Sequence, residues 1–460
     1  MEMDLFKTNS YPVSSTPLKK LEVVKRTNEP RCALIYSHDG LGLGHLRRNT
    51  TIAKHFIGEL PGSSVLMLVG CPLGAFFPLP SAGIDLIKLP SIVKIDTGVW
   101  NSRTLTNIDP KIRDIRASTI QNVARILKPD LFLVDHVPIG VWGELIPTLR
   151  ALKELDDPPV IVLGIREILD DPNVTRQLWC REGGYEAISQ YYDEIFIYGA
   201  REVFDTAFHY GLKDMFAPKV RYCGFVCSED EYQEKSSMRE DLQIKKQKLI
   251  VVTAGGGYDA FGMMRTCLEA LRLLSDFISF EAIFITGPLM AHEQRASLEK
   301  QSEGLPVRLL RCVDDSLSYL NAADLVIAMA GYNTMCEVVF RLRKKALVIP
   351  RLGPSAEQMI RARTLEKRGL IDVVHPGEMS PAKMAARIEA GLEQGDCLPQ
   401  SGHIETTGAE QAASRLLKLI DSRGGDNHAG KFWFTSVRQS ICRRVVTPLM
   451  PIAISRWRNF

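Results

Sequence analysis

At 460 residues, with 45% hydrophobic and 24% charged side chains, the chain is too long for one ordinary core and has material for two. Its 57 basic and 54 acidic residues leave a net charge of +3, too balanced for a dedicated nucleic-acid binder, so no nucleic-acid partner is expected. No apolar run reaches the roughly 18 residues of a membrane-spanning helix, and the ten cysteines form no zinc-ligand set, which predicts reduced thiols and no metal.

Residues 1–30 mix Asn9, Ser14, Lys19, Lys20 and Glu29 with scattered apolar positions and read as a flexible N-terminal segment. They contain no apolar h-region, so a cytoplasmic chain is expected. From Arg31 a regular alternation begins. Cys32 to Tyr36, Ser64 to Val69, Leu131 to Val134, Val160 to Leu163 and Glu194 to Ile197 are short apolar runs, several ending in Gly or Asp, as buried strands entering loops do. Between them lie stretches such as Ile112 to Leu127, apolar every three or four residues. This predicts a first doubly wound α/β domain over residues 31–225.

Residues 226–248 read as a linker, because Ser228 to Ser237 is polar with almost nothing to bury. A second series of strands follows at Leu249–Val252, Ile283–Ile285, Val307–Leu310, Leu325–Ala328 and Ala346–Ile349. It is closed by a helix over Glu405–Ile420, which can pack back on the first domain. The second domain is thus residues 249–421, and 422–460 is a tail. In doubly wound sheets ligands bind beyond the carboxyl ends of the strands, so both loop sets face one cleft.

Two glycine loops follow the first strand of each half. The first, Asp39 to His45, spaces its glycines as Gly-x-Gly-x-Gly, with Gly42 and Gly44 directly before a helix start near His45. A dinucleotide-binding loop needs Gly-x-Gly-x-x-Gly and a carboxylate after the second strand, which here ends at Val69-Gly70. The second loop, Thr253 to Asp259, carries Gly255, Gly256 and Gly257, a cradle of N–H donors for a diphosphate or a tight packing turn. No Gly-Lys-Ser/Thr follows, so it is not a P-loop. Asp135 and His136 end an apolar strand, as a turn pair or a functional pair.

The segment from Asp324 through Gly331 to Glu337, continued by Pro350 to Ala362, resembles the donor half of the MurG-like glycosyltransferases. The resemblance covers about Arg31 to Ile420 and is sharpest from Val313 to Ala362. It implies the GT-B fold, two Rossmann-like domains facing a central cleft, and an inverting, metal-independent transfer of a hexose or N-acetylhexosamine from a UDP-sugar. The acceptor it implies is lipid-linked or a polysaccharide precursor. By the same resemblance Glu337 takes the ribose hydroxyls, Gly331 admits the nucleotide, Val313 reads the base edge, and Glu357 and Gln358 meet the donor sugar. Gly255 and Gly256 match its diphosphate loop, and Gly42, Gly44 and His45 its N-terminal loop. The family's Ser or Thr after the donor-loop glycines is replaced by Gly257 and Tyr258, and the acceptor half matches little beyond its loop.

The nucleotide sugar is a substrate, and no cofactor is expected. With no Asp-x-Asp pair, leaving-group charge falls to main-chain donors of the Gly255–Gly257 loop. His45 is the first candidate for the base and Asp135 the second, as base or as the carboxylate that orients His45. A sugar-nucleotide 2-epimerase and a non-catalytic sugar-nucleotide-binding partner of a membrane transferase are the alternatives. The tail from Lys431 to Phe460 carries six basic residues and no acidic one, interleaved with Phe432, Trp433, Phe434 and Trp457, which suits a peripheral contact with an anionic membrane.

Overall fold

The computed structural model describes residues 29–423 apart from 39–41, 75–76, 78, 80–81, 97 and 396–403. The first half contributes β1 (Cys32–Ser37), β2 (Ser64–Val69), β3 (Ile84–Lys88), β4 (Ile92–Asp96), β5 (Val99–Ser102), β6 (Leu131–Asp135), β7 (Val160–Arg166), β8 (Glu194–Tyr198) and β9 (Val220–Tyr222). Seven of them pair in parallel in the order β3-β2-β1-β6-β7-β8-β9, while β4 and β5 form a separate antiparallel hairpin. The second half contributes β10 (Lys248–Thr253), β11 (Phe280–Ile285), β12 (Val307–Leu310), β13 (Leu325–Ala328), β14 (Ala346–Val348) and β15 (Ile371–Val373). These form a parallel sheet in the order β12-β11-β10-β13-β14-β15.

Strands covered on both faces carry continuous apolar runs, and β6 and β8 are buried at every position. Each sheet reverses direction beside its first strand, between β1 and β6 and between β10 and β13. The crevices where ligands bind in such sheets lie there. The central strands lie where the apolar runs predict them, whereas β3, the hairpin, β9 and β15 lie outside those runs. The hairpin mixes Lys94 and Asp96 among its apolar residues, and β9 and β15 are three residues each.

One apolar cluster runs through both halves, from Ala33, Ile35 and Phe56 to Leu249, Val326 and Tyr332. Separate clusters fill the far face of each sheet. The chain crosses between the halves twice, and the crossings lie side by side. The Phe225 N–H donates to Glu405 O at 2.8 Å, the Gly408 N–H donates to Phe225 O at 3.1 Å, and Val226 pairs with Thr407. A Cβ on Gly408 would lie 2.5 Å from Gly224 O, so only glycine allows this approach. After the second crossing, helix Gly408–Arg423 packs against helix Gly44–Glu59 and pairs Arg423 with Asp193.

The polar stretch 226–248 differs from a solvated linker. It contains helix Lys235–Asp241 and buries Val226, Cys227 and Met238. Two of its cations meet one carboxylate, with Lys235 Nζ at 2.8 Å and Arg239 Nη1 at 2.9 Å from Asp324.

Candidate active site

Helix Gly44–Glu59 starts directly after the first glycine loop, and no side chain caps its first turn. His45, Arg48 and Asn49, at i, i+3 and i+4, share one face, which lies on the carboxyl ends of β1 and β6. There the Asp135 carboxylate is the common acceptor. His45 Nδ1 lies 2.6 Å from Oδ2, Arg48 Nη2 donates to Oδ1 at 2.5 Å, and Asn49 Nδ2 and the His38 N–H donate to Oδ2 at 3.3 and 3.4 Å. Burial alone would raise the Asp135 carboxyl, but Arg48 and then His45 hold it well below the usual range. A carboxylate so depressed and so fully engaged is a poor proton acceptor at neutral pH and a good anchor.

Anchored through Nδ1–H, the His45 ring keeps its lone pair on Nε2. Burial lowers its pKa, with Asp135 opposing, so the ring is neutral at neutral pH. His38 and His136 stand beside it, with ring centroids 5.8 and 5.1 Å from His45. His136 occupies the left-handed region at φ +73°, a conformation that β6 imposes where it breaks into its loop.

The second half meets this cluster directly. Asn333 Nδ2 donates to Gly44 O at 3.3 Å, and Arg47 Nη2 pairs with Glu337 Oε1 at 3.1 Å. The Tyr332 ring, between Gly331 and Asn333 in the chain, has Arg48 at 5.6 Å and Arg361 at 5.7 Å from its centroid. Arg361 Nε donates to Glu167 Oε1 at 2.5 Å, and Arg361 and Arg166 both reach Glu357 Oε1 at 2.8 Å. Burial would raise the Glu357 carboxyl; Arg166, Arg361 and Arg351 bring it down to about 2. The Asp170 carboxylate accepts the Ala356 N–H at 2.8 Å.

The second glycine loop lies at the β10–β13 reversal. Gly257, at φ +83°, is required by packing: a Cβ there would lie 1.9 Å from Thr286 O. Gly255, at φ +60°, faces open space with nothing within 4 Å of an added Cβ, and Gly256 has only Leu289 nearby at 3.4 Å. The following helix begins at Phe261, a turn later than glycines leading straight into a helix would give.

Of the residues singled out from sequence, Gly44, His45, Asp135 and His136 are therefore gathered at the first reversal. Gly331 and Glu337 are gathered with them across the cleft. Gly42 lies just before helix Gly44–Glu59, while the rest of its loop lies outside the described residues. Val313 is half-buried beyond β12, packed on the shared apolar cluster, and Gln358 accepts the Arg351 N–H at 3.2 Å. Glu357 is buried in the interdomain ion cluster. Arg47, Arg48, Asn49, His38, Arg166, Glu167 and Arg361 were missed. The helical spacing of Arg48 and Asn49 from His45 was a usable signal; nothing local marks Arg166 or Glu167. Among the described residues no group of three or more His, Cys, Asp or Glu is arranged to hold a metal.

The glycosyltransferase family 28 C-terminal domain matches residues 249–416. The uncharacterized glycosyltransferase MK0977 of Methanopyrus kandleri is 30% identical over 193 residues, 42% of this chain and 52% of its own length. The chain thus spans about half of that relative. The UDP-N-acetylglucosamine–N-acetylmuramyl-(pentapeptide) pyrophosphoryl-undecaprenol N-acetylglucosamine transferase of Oenococcus oeni is 25% identical over 404 residues, 84% of this chain and 96% of its own. The crystal structure of Acinetobacter baumannii MurG shares the fold at a TM-score of 0.50 and 15% identity, over 85% of this chain and all of that one. Two reversing parallel sheets, a second domain that matches family 28 and these relatives together show the GT-B fold and a likeness to the MurG-like glycosyltransferases.

Proposed function

We propose that the chain transfers a hexose or N-acetylhexosamine from a UDP-sugar to a hydroxyl of a lipid-linked or polysaccharide-precursor acceptor, inverting the anomeric carbon without a metal. The donor class follows the Oenococcus oeni relative, named for UDP-N-acetylglucosamine. The observation that carries the reading is the contact between Gly44 and Asn333, which brings the His45-bearing helix start against the Gly331–Glu337 segment.

In this reading the acceptor hydroxyl attacks the anomeric carbon, the bond from that carbon to the diphosphate oxygen breaks, and His45 Nε2 takes the hydroxyl proton. Asp135, held by Arg48 and Asn49, orients the ring and stabilises the imidazolium that forms. The Gly255 and Gly256 N–H groups meet charge on the departing diphosphate. Glu337 takes the ribose diol after releasing Arg47, and Val313 reads the base edge. Glu357 and Gln358 contact the donor sugar, Glu357 after loosening its pair with Arg166.

A panel of nucleotide sugars with extracted lipid and saccharide acceptors, with and without EDTA, tests the reading. Release of free UDP that chelator leaves intact is the expected result. An altered sugar on intact nucleotide would mean epimerisation, binding without turnover a non-catalytic partner, and loss of activity to EDTA a metal-dependent reaction.

No helix among the described residues is long and apolar enough to cross a membrane. The tail from Lys431 to Phe460 lies outside the described residues. From its composition we assign it to the surface of an anionic membrane, which gives a cytoplasmic, peripheral protein. Equal co-sedimentation with anionic vesicles of the full chain and a chain ending at Asp421 would refute that assignment.

A further inference from the structure

A diphosphate that departs without a metal leaves its new charge to the protein. The second glycine loop has little beyond its main chain to meet that charge. The Ser or Thr that the MurG-like resemblance places after the loop's glycines is replaced by Gly257 and Tyr258, so no short hydroxyl side chain stands there. Gly257 is committed to packing against Thr286 O, while Gly255 faces open space. A cation that reached this loop from another strand end would supply what the loop lacks.

Arg351 follows β14 by three residues. In the sheet β14 lies two strands from β10, with β13 between them, a separation of about 10 Å at the usual strand spacing. Arg351 nonetheless reaches the loop after β10, its Nη1 lying 3.5 Å from Oδ2 of Asp259, the last residue of that loop. The side chain therefore passes over the carboxyl end of β13, across the mouth of the crevice where such sheets bind ligands. Its backbone N–H is held by Gln358 Oε1 at 3.2 Å, and its charge helps to hold the Glu357 carboxyl down. The glycine loop and both residues aligned with the donor sugar thus converge on one guanidinium.

That guanidinium is weakly engaged. Arg351 and Asp259 are 35% and 36% exposed, and 3.5 Å is long for a charge-assisted hydrogen bond, so the pair is loose. Arg351 Nε is shielded from solvent and has no hydrogen-bond partner among the described residues. Buried donors without partners are rare, and the planar fork of an arginine matches the oxygens of a phosphate. Tyr258 and Leu352, beside the two partners in the chain, are exposed, which leaves the pair open to a ligand.

We propose that Arg351 leaves Asp259 when the donor binds and pairs with the diphosphate, in place of the loop's missing Ser or Thr. This rests on the transferase reading for the identity of the donor. In the transfer step the bond from the anomeric carbon to the phosphate oxygen breaks, both electrons stay on that oxygen, and Arg351 meets the charge. No proton moves to or from the guanidinium. Asp259 is then a resting partner, which keeps the arginine aimed at the loop and competes with phosphate for it.

The test compares UDP with uridine on the full chain by calorimetry, since the two share base and ribose and differ in the diphosphate. The wild type should prefer UDP. R351M should cut that preference at least tenfold with uridine affinity unchanged. R351K should cut it less, because an ammonium keeps the charge and loses the fork. D259N, which removes the competing carboxylate, should raise UDP affinity and leave uridine affinity unchanged. If R351M does not fold, R351K and D259N decide. A preference unchanged in R351M, or UDP and uridine weakened alike, as loss of a structural ion pair would give, overturns the assignment and leaves the donor site standing. A wild type that binds neither compound overturns the donor reading and the role of Arg351 with it. A preference that depends on Arg351, with no UDP released from any donor, upholds the phosphate contact and removes the transferase reading.

Discussion

Arg47, on the first domain's leading helix, holds Glu337 of the second domain at 3.1 Å across the cleft. The arginine is 40% exposed, and ion pairs of that exposure are worth about 0–1 kcal/mol. In the proposed donor site a ribose diol would therefore displace it at little cost. Arg47→Ala should tighten UDP binding by no more than about fivefold, the equivalent of 1 kcal/mol. Glu337→Ala should weaken it by about 1–3 kcal/mol, the range for lost charge-assisted hydrogen bonds. Calorimetry on the two variants checks both signs, and an unchanged dissociation constant in Glu337→Ala would remove this residue from the donor site.

His45→Ala should lower kcat by about 100-fold or more with donor affinity nearly intact, as loss of a general base does. Asp135→Asn should also lower kcat by disturbing the ring's orientation. Because burial lowers the His45 pKa, the base stays neutral as pH falls through 6.5, and the acid limb of kcat should lie below that value. A limb above pH 7 in the wild type, or full activity in His45→Ala, would refute the assignment.

The cluster of Glu167, Glu357, Arg166 and Arg361 joins the domains through charge that is buried at all but Arg166, which is 14% exposed. Removing one member leaves another uncompensated, so Arg361→Met should destabilise by about 3–5 kcal/mol, read by denaturant unfolding. Glu357 is depressed from 4.5 to about 2, so its contribution is present above pH 4.5 and is lost as pH falls toward 2. Wild-type stability should decline in that window, and Glu357→Gln should flatten the decline.

Gly257→Ala and Gly255→Ala separate packing from ligand contact in the donor loop. Both positions are left-handed, which costs alanine about 1–2 kcal/mol. At Gly257 the methyl also meets Thr286 O, so this variant should melt well below Gly255→Ala. Gly255→Ala should melt only a few degrees below wild type, the cost of its φ alone, and lose UDP affinity, because its methyl enters the open space beside the loop. Equal melting of the two would contradict the packing role of Gly257.

The sheets were legible because strands buried on both faces announce themselves as unbroken apolar runs, as β6 and β8 do. Glu337 and Gly331 were legible through resemblance, and His45 through its glycine loop. The partners of His45 were half-legible: Arg48 and Asn49 follow it at helical spacing, but their burial, to 2% and 0% exposure, comes from the sheet ends they cover. Glu357 illustrates the limit. Its neighbours in the chain point to a sugar contact, whereas Arg166 lies 191 residues away and is brought to it only by domain packing.

The paired crossings at Gly224 and Gly408 also bear on how the chain is made. The second sheet and its helices come from one continuous stretch, whereas the first body is finished by helix Gly408–Arg423, which follows that stretch. The first body is therefore complete only once residues near 423 have been made, and truncation before residue 408 should damage the half of the molecule made earliest.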